Sequence, residues 1–287
     1  MRGRRHVEVA HIMGTAISVH VVGDVDEDAF TTAASACFAE LRAADAVFSP
    51  YRDDSDISRM ARGELVMADA SRWVAEVAQA CAEAEVETSG RFSATWAGAF
   101  DPTGYVKGWS VERVARAHLA PLLARPGVVA AGINAGGDMQ LLTAPDADWT
   151  WKVGIVDPAD RSRVLAVTSV RNGAIATSGG AERGPHIIDP RSGTPATGAA
   201  SATVVSDALS HADAWATAAV VAGVDDLTWI ARAGRTSGMI VGPGGRVRRW
   251  LEGVEVSVAD AATPDQAGRS TFSIGFPFAS SSTSLSR

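Results

Sequence analysis

The sequence predicts an α+β fold in which helices pack against mixed, mainly antiparallel sheets. Several segments alternate apolar and polar residues, which is the period of a half-buried strand, as in residues 7–22. Others place apolar residues three and four positions apart, which is the helical period, as in residues 26–47. Strands and helices alternate without the strict rhythm of a parallel β-α-β protein, so the α+β class is favoured.

The first part of the chain predicts a strand pair followed by helices. Residues 7–22 alternate around Met13-Gly14-Thr15, which indicates two strands or one bent strand. Residues 26–47 predict a helix with an acidic N-terminus, and Phe48-Ser-Pro-Tyr51 ends it. Ser55 is typical of the cap of a short helix, and residues 69–88 predict a further helix.

The rest of the chain mixes both kinds of element. A helix is expected over 107–123, and two strands over 128–142 are joined by a turn at 134–138. Strands follow at 149–156 and 164–170, and Asn172-Gly173 predicts a hairpin leading into 174–178. The remaining predictions are a strand at 200–206, helices at 208–221 and 227–233, and a hairpin of 239–241 with 247–256.

Composition limits the function classes. The chain has 287 residues, 46% hydrophobic and 21% charged, with a net charge of −7. An acidic protein lacks the basic face that nucleic acid requires, so nucleic acid is not an expected partner. No apolar run reaches spanning length, and residues 7–22 are too polar for a secretory segment, so we expect a cytoplasmic protein without a transmembrane segment.

Domain organisation follows from the same survey. The length fits one large domain or two fused lobes, and of these we expect residues 1–258 to form a single domain. The Ser-rich residues 259–287 are expected to form a loosely ordered tail, although the aromatics of 272–278 allow docking. Cys37 and Cys81 lie among alanines in helical patterns, so we expect small buried residues rather than a disulfide or metal pair.

A glycine-rich stretch at 176–195 is the first candidate for chemistry. It carries His186 as a candidate base, with Asp189, Arg183 and Arg191 nearby. Glycine loops of this kind expose backbone N–H groups to anions. An ordinary polar loop is the alternative. In a strand His186 and Asp189 face opposite sides, so they pair only if the chain turns at Asp189-Pro190.

Two further patterns point to phosphate and metal chemistry. Asp101 to Gly108 is a glycine-containing loop that opens onto a helix, where Lys107 can neutralise a phosphate, although its spacing is not that of a Walker motif. Asp213 and Thr217 share one face of a predicted helix, and their oxygens suit Mg²⁺. A surface lysine beside a turn and a polar helix stripe are the plain alternatives.

Two weaker patterns complete the set. Asn134-Ala-Gly-Gly-Asp138 is explained by a hairpin turn alone, and Tyr51 is either an aromatic that stacks on a flat ring or a helix-end contact. Together the anion loop, the carboxylate–hydroxyl pair, the base and the aromatic suit metal-assisted attack on a phosphoanhydride.

The order of these motifs resembles the ApbE family of FAD:protein FMN transferases. The resemblance runs from Met13 to about Gly223, and more weakly to Val256. It rests on seven motifs in order: Met13-Gly-Thr15, Phe48-Ser-Pro-Tyr51 with Ser55-Asp-Ile-Ser, Asp101 to Gly108, Asn134 to Asp138, Ala176-Thr-Ser-Gly179, His186 to Gly193, and Ala212 to Thr217.

The resemblance implies a fold and a reaction. The fold would be α+β with a two-part core like that of the T-fold. The reaction would move the FMN part of FAD onto a Ser or Thr hydroxyl of an acceptor flavoprotein, with Mg²⁺ as cofactor and AMP released. Two alternatives use the same features: an FAD pyrophosphatase giving FMN and AMP, and a non-catalytic FAD-binding protein.

The resemblance also implies residue roles. Catalysis would rest on His186, Asp213 and Lys107. Mg²⁺ would be held by Asp213, Thr217 and the Gly104 carbonyl, with the Ala216 carbonyl as a further contact. FAD would meet Met13, Tyr51, Arg91, Phe92, Ser93, Asp101, Lys107, His186 and Ile187. The chain departs from the family pattern at Ser93, where an aspartate is common, and in the short distance from Ser93 to Asp101.

Overall fold

The computed structural model describes residues 4–180, 184 and 186–257, together with the backbone of residues 273–275. The helices of this part are α1 (Glu27–Phe48), α2 (Asp56–Ala61), α3 (Arg72–Glu87), α4 (Thr103–Val114) and α5 (Leu209–Ala222). The strands are β1 (Arg5–Ile12), β2 (Thr15–Gly23), β3 (Val128–Ala135), β4 (Asp138–Thr143), β5 (Trp151–Val156), β6 (Val164–Val170), β7 (Gly173–Gly179), β8 (Ile188–Asp189), β9 (Thr194–Pro195), β10 (Ser201–Ser206), β11 (Ser237–Val241), β12 (Val247–Leu251), β13 (Val254–Val256) and β14 (Ser273–Gly275).

A nine-stranded sheet is the centre of the described chain. Its strand order is β1-β2-β3-β4-β7-β10-β11-β12-β13. Every neighbouring pair in this sheet is antiparallel. The α+β class predicted from the sequence is therefore confirmed.

The central strands bury both of their faces. Alternate residues turn to opposite sides of a strand. One side contributes Val21, Ala131, Ala176 and Val204 to the main core beneath the helices. The other side contributes Val22, Ala130, Ile175 and Val205 to a second cluster with Trp151 and Val170 of the smaller sheet. Burial on both sides explains why β10 is buried along its whole length.

Helix α5 lies deepest on the helical side of the sheet. It packs against β7 and β10 and against α4. Trp215 stacks on Trp229 with ring centroids 5.5 Å apart, and Trp229 meets Trp250 edge-on at 5.1 Å. All three rings are almost completely buried. This tryptophan cluster ties α5 to the far end of the sheet.

Helix α3 and the start of α4 enclose a separate apolar cluster. Phe48, Val77, Phe92 and Trp109 are among its buried members. Ser55 accepts a hydrogen bond from Ser58 N at 3.1 Å and so caps α2, as predicted. The expected helices at 69–88 and 107–123 have irregular ends, because residues 67–69 form a 3-10 turn and residues 115–124 wind as a π turn followed by a 3-10 turn.

The predicted hairpin at Asn172-Gly173 is wrong. β6 pairs with β5 and β14 in the smaller sheet, whereas β7 pairs with β4 and β10 in the large one. Asn172 instead forms a corner between the sheets, because its Oδ1 accepts a hydrogen bond from Thr143 N at 2.7 Å. Gly173 has φ 141°, and a Cβ there would lie 2.8 Å from the Ser206 carbonyl oxygen.

The predictions for the final hairpin and the two cysteines are confirmed, whereas most of the predicted tail lies outside the described residues. The final hairpin is confirmed as β11 and β12, and β13 folds back on β12 after a turn at Glu252-Gly253. Cys37 and Cys81 are buried free thiols, as expected. The predicted tail, 259–287, lies outside the described residues except for the backbone of β14, which pairs in parallel with β6. No helix of the described chain combines the length and the apolar character needed to cross a membrane.

Candidate functional site

Two buried carboxylates converge on one ammonium group at the junction of α4, α5 and the sheet. Lys107 Nζ forms an ion pair with Asp138 Oδ2 and lies 3.2 Å from Asp213 Oδ2. The side chains of Asp138 and Asp213 are 5% and 8% exposed, and that of Lys107 is 30% exposed. We call these three residues the lysine–carboxylate cluster.

Four separate elements supply this region. Lys107 comes from the second turn of α4, Asp138 from the start of β4, and Asp213 from α5. Asp138 is oriented by the backbone, since its Oδ1 accepts a hydrogen bond from Thr177 N of β7 at 2.9 Å. Long-range packing of helices on the sheet therefore brings the charges together.

The close approach of α4 to α5 depends on Gly108. A Cβ at that position would lie 3.0 Å from both Asp213 Cβ and the Leu209 carbonyl oxygen. Such spacing is tighter than ordinary van der Waals contact. The absence of a side chain at Gly108 therefore lets the backbone of α4 pass directly over Asp213.

Two hydroxyl groups belong to α5 and β7, the helix that carries Asp213 and the strand that orients Asp138. Thr217 Oγ1 and Ser178 Oγ are 3.3 Å apart and share a hydrogen bond between α5 and β7. Thr217 is one turn along α5 from Asp213, so both side chains project from one face. Ala216, between them in sequence, is fully buried. The site thus combines two carboxylates with two hydroxyl groups.

This donor set fits a hard divalent cation. Carboxylate and hydroxyl oxygens are the ligands that Mg²⁺ takes, and it retains water or substrate oxygens in its other positions. The described residues contain no group of three or more His, Cys, Asp or Glu side chains placed to hold a metal ion. An ion here would therefore bind Asp213 and Thr217. Its other ligands would be backbone, water or substrate oxygens.

His186 lies outside this cluster, in the exposed segment before β8. Its Nδ1 lies 3.0 Å from the Gly184 carbonyl oxygen. Because a carbonyl only accepts, this hydrogen bond places the proton on Nδ1 and leaves Nε2 with its lone pair in the neutral ring. The neighbouring Arg183 lies outside the described residues.

Asp189 does not orient His186. It accepts hydrogen bonds from Arg191 Nε at 2.9 Å and Arg191 Nη2 at 2.8 Å, across the turn that joins β8 to β9. Hydrogen bonding from Arg191 lowers the pKa of this carboxyl group. The chain does turn after Asp189, but the turn pairs the carboxylate with arginine rather than with the imidazole.

Several residues expected to contact FAD have structural partners. Phe92 is buried against Tyr105, with ring centroids 6.1 Å apart. Ser93 Oγ donates to Glu85 Oε2 at 3.0 Å, and Arg91 Nη2 lies 3.2 Å from Asp226 Oδ2. These contacts account for the three side chains within the fold itself, whatever they add to nucleotide binding.

The other expected contacts surround the start of α4 or lie on loops. Met13, with φ 54°, sits in the β1–β2 turn, and its Sδ lies 3.8 Å from Ser110 Oγ of α4. Asp101 Oδ1 accepts from Thr103 N at 3.0 Å in the first turn of α4, where Gly104 is exposed. Tyr51 is 95% exposed, and Ile187 is half-buried against the main core.

Sequence reasoning assigned no role at the site to Asp138 or Ser178. Both lie in motifs that carry the family resemblance, Asn134 to Asp138 and Ala176 to Gly179. A hairpin turn explained the first motif, and indeed Asn134 Oδ1 accepts from Gly137 N at 2.8 Å. What marks Asp138 is its burial at the end of a glycine turn, which only the structure shows, since an isolated carboxylate there needs a cation.

Comparison with known proteins identifies the family of the chain. A model of the ApbE family matches residues 13–101 and 97–240. The FAD:protein FMN transferase of Rhodobacter capsulatus is 40% identical over 122 residues, which cover 38% of this chain and 23% of that protein. The enzyme of the same name from Escherichia coli K12 is 29% identical over 151 residues, 49% of this chain and 43% of that protein. The matched region thus spans less than half the length of these curated relatives.

Solved structures show the same fold. An ApbE protein from Thermotoga maritima superposes with a TM-score of 0.75 at 20% identity, covering 86% of this chain and 97% of that one. The apo form of the flavinyl transferase ApbE from Pseudomonas stutzeri gives 0.69 at 18% identity, covering 88% of this chain and 97% of that one. The family model covers most of the chain in its proper order, and so the chain belongs to the ApbE family.

Proposed function

We propose that the chain is an FAD:protein FMN transferase, which moves the FMN part of FAD onto a Ser or Thr hydroxyl of an acceptor protein and releases AMP. The lysine–carboxylate cluster beside Thr217 is the observation that carries the proposal. It offers oxygen ligands for a cation and an ammonium group for a phosphate, in a chain whose named relatives are FAD:protein FMN transferases.

Mg²⁺ is the cation we propose, held by Asp213, Thr217 and the Gly104 carbonyl, with the Ala216 carbonyl as a further contact. When bound, such an ion would neutralise charge on the diphosphate of FAD and make AMP a better leaving group. Lys107 supplies a second positive charge from the same side. Its position is defined by Asp138, which is itself fixed by the β7 backbone.

His186 is the base in this proposal. The acceptor hydroxyl oxygen forms a bond to the FMN phosphorus, the bond from that phosphorus to the oxygen of AMP breaks, and the hydroxyl proton passes to His186 Nε2. The hydrogen bond from Nδ1 to the Gly184 carbonyl supports this assignment, because it leaves Nε2 as the acceptor in the neutral ring. Exposure of His186 also suits a group that must meet a protein substrate.

The remaining proposals concern the residues that contact FAD and the bounds of the domain. We propose that Met13, Tyr51, Asp101 and Ile187 line the path of FAD, with Arg91, Phe92 and Ser93 shaping the loop behind it. We propose too that residues 1–258 act as one domain. Tyr51 supports its own assignment by its exposure, since a ring with 95% of its surface free can stack on a flat ligand.

The test measures AMP release from FAD with Mg²⁺, with and without an acceptor protein carrying a Ser/Thr flavinylation site, followed by intact-mass analysis. The expected result is AMP together with an acceptor mass increased by FMN. AMP and free FMN with every acceptor offered would instead establish a pyrophosphatase. FAD binding without AMP would leave a flavin-binding protein.

The base assignment has its own control. His186→Ala is expected to slow transfer much more than it weakens FAD binding, whereas His11→Ala, at an exposed position on β1, should leave both unchanged. Equal losses of transfer and FAD binding in His186→Ala would make the imidazole a binding group rather than a base.

A further inference from the structure

Lysine is rare in this chain, and one of its two lysines is in the lysine–carboxylate cluster. The two are Lys107 and Lys152. All the other basic side chains are those of arginine and histidine. Lys152 is exposed on β5, where its Nζ donates to Ser169 Oγ at 2.6 Å. A compact ammonium group, unlike a planar guanidinium, resembles a metal ion in size and charge distribution. The presence of a lysine, and not an arginine, between the two carboxylates therefore indicates a group that resembles a metal ion.

The described protein groups satisfy Asp138 and Asp213 unequally. Asp138 has two partners, the Thr177 backbone N–H and the Lys107 ammonium. Among the described residues, Lys107 is the one hydrogen-bond partner of the Asp213 side chain. Buried carboxylates need a positive partner, and Lys107 is the counter-cation of Asp213 within the described fold.

We propose that Lys107 is a placeholder cation, which occupies Asp213 in the metal-free chain and is displaced onto Asp138 when a divalent cation binds Asp213. The inference rests on the proposed function for the identity of the cation site. An ammonium group and a divalent ion repel each other at one carboxylate oxygen. Asp138 offers the ammonium a second, fully formed contact, so displacement does not leave Lys107 without a partner.

Two consequences distinguish this exchange from a static ion pair. The apparent metal affinity of the free chain is lowered, because part of the binding energy removes the ammonium from Asp213. The ammonium also becomes more accessible as the ion binds, since it keeps one carboxylate contact instead of two. Both consequences can be measured without FAD and without an activity assay.

The first experiment is acetylation of the wild-type protein with and without Mn²⁺, an ion that shares the oxygen preference of Mg²⁺. After cleavage at arginine, Lys107 falls in the peptide between Arg91 and Arg113, and Lys152 in another peptide. Mn²⁺ is expected to speed acetylation of Lys107 by about threefold or more while Lys152, the internal control, is unchanged. An unchanged or slower Lys107 reaction at saturating Mn²⁺ would overturn the proposal.

The second experiment measures Mn²⁺ affinity by water-proton relaxation. Lys107→Met keeps the length of the side chain and removes its charge, and it should bind Mn²⁺ roughly tenfold more tightly than the wild type, whereas Lys152→Met should bind like the wild type. If Lys107→Met bound Mn²⁺ and neither the wild type nor Lys152→Met did, the result would also support the exchange. Equal affinity in all three proteins, or no binding by any of them, would overturn it, and the wild-type acetylation result does not depend on how the variant folds.

The assay for AMP separates this inference from the proposed function. A chain that frees Lys107 on Mn²⁺ binding but releases no AMP from FAD would contradict the transferase proposal and leave the placeholder intact. A chain that releases AMP while Lys107 stays protected would contradict the placeholder alone.

Discussion

Arg91 and Asp226 form an ion pair across 135 residues of sequence, with Arg91 Nη2 lying 3.2 Å from Asp226 Oδ2. The pair joins the segment after α3 to the segment after α5. The Arg91 side chain is 14% exposed, and its buried Nε has no hydrogen-bond partner in the described chain. Hydrogen bonds from Thr228 and then from Arg91 lower the pKa of the Asp226 carboxyl group.

Loss of Asp226 is therefore expected to destabilise the fold by leaving a mostly buried guanidinium without its carboxylate. Asp226→Asn should cost about 1–3 kcal/mol of unfolding free energy. A double-mutant cycle with Arg91→Met, followed by urea unfolding, should give a coupling of about 0.5–3 kcal/mol. Additive effects of the two changes would show that the pair contributes no stability.

Gly108 should tolerate no side chain. Gly108→Ala places a Cβ about 3.0 Å from Asp213 Cβ and the Leu209 carbonyl oxygen, and overpacking of this kind costs about 1–3 kcal/mol. Gly104→Ala is the matched control on the same helix, since its Cβ would meet only Phe92 Cε2 at 3.5 Å. Urea unfolding should show a large loss for Gly108→Ala and almost none for Gly104→Ala, and similar losses would refute the tight approach of α4 to α5.

Asp213 should matter for activity more than for folding. Asp213→Asn keeps the shape of the side chain under Gly108 and removes the charge proposed to hold the cation. Loss of about 3 kcal/mol of transition-state stabilisation corresponds to a fall of roughly 100-fold in AMP release. Thr203→Val, which removes a hydroxyl bonded to Thr177 at 2.9 Å on a neighbouring strand, is the control for general damage. Full activity in Asp213→Asn would contradict the proposal that the charge of Asp213 holds the cation.

Stability should fall between about pH 6.5 and 4 because of His20. Burial, and then the nearby Arg5, lower the pKa of His20 from 6.5 to about 4. In that interval the unfolded chain binds a proton at this position and the folded chain does not, so stability is complete above pH 6.5 and declines towards pH 4.

The measurement is urea unfolding at several pH values. His20→Gln should flatten the profile in that window, whereas His11→Gln, at an exposed position on β1, should keep the wild-type slope. A slope unchanged by His20→Gln would mean that other groups set the pH dependence.

Local patterns in the sequence predicted most elements, because periodicity and capping are local properties. Ser55 at the start of α2 and the acidic start of α1 are examples. The family motifs singled out Lys107 and Asp213 as site residues, and the fold brings these two side chains, 106 residues apart in sequence, to 3.2 Å from each other. Whether these residues perform the proposed chemistry stays a prediction.

Pairing between distant strands could not be predicted in the same way. Asn172-Gly173 has the composition of a hairpin turn, yet it connects two sheets, because each flanking strand finds better partners elsewhere. Asp138 was missed for a related reason: its turn was sufficient explanation locally, and its partner Lys107 lies on a helix from a distant part of the chain. Only the packed fold shows that Asp138 is buried and paired with Lys107.

The tryptophan cluster gives the protein an intrinsic optical signal. The Trp229 ring lies 5.5 Å from the Trp215 ring and 5.1 Å from the Trp250 ring, centroid to centroid, and all three side chains are almost completely buried. Indoles this close and this rigid couple their electronic transitions, which produces strong near-ultraviolet circular dichroism and blue-shifted emission. Trp215 lies on the same helix as Asp213 and Thr217, so the contribution of this cluster to the spectrum is sensitive to a shift of the helix on which the proposed chemistry depends.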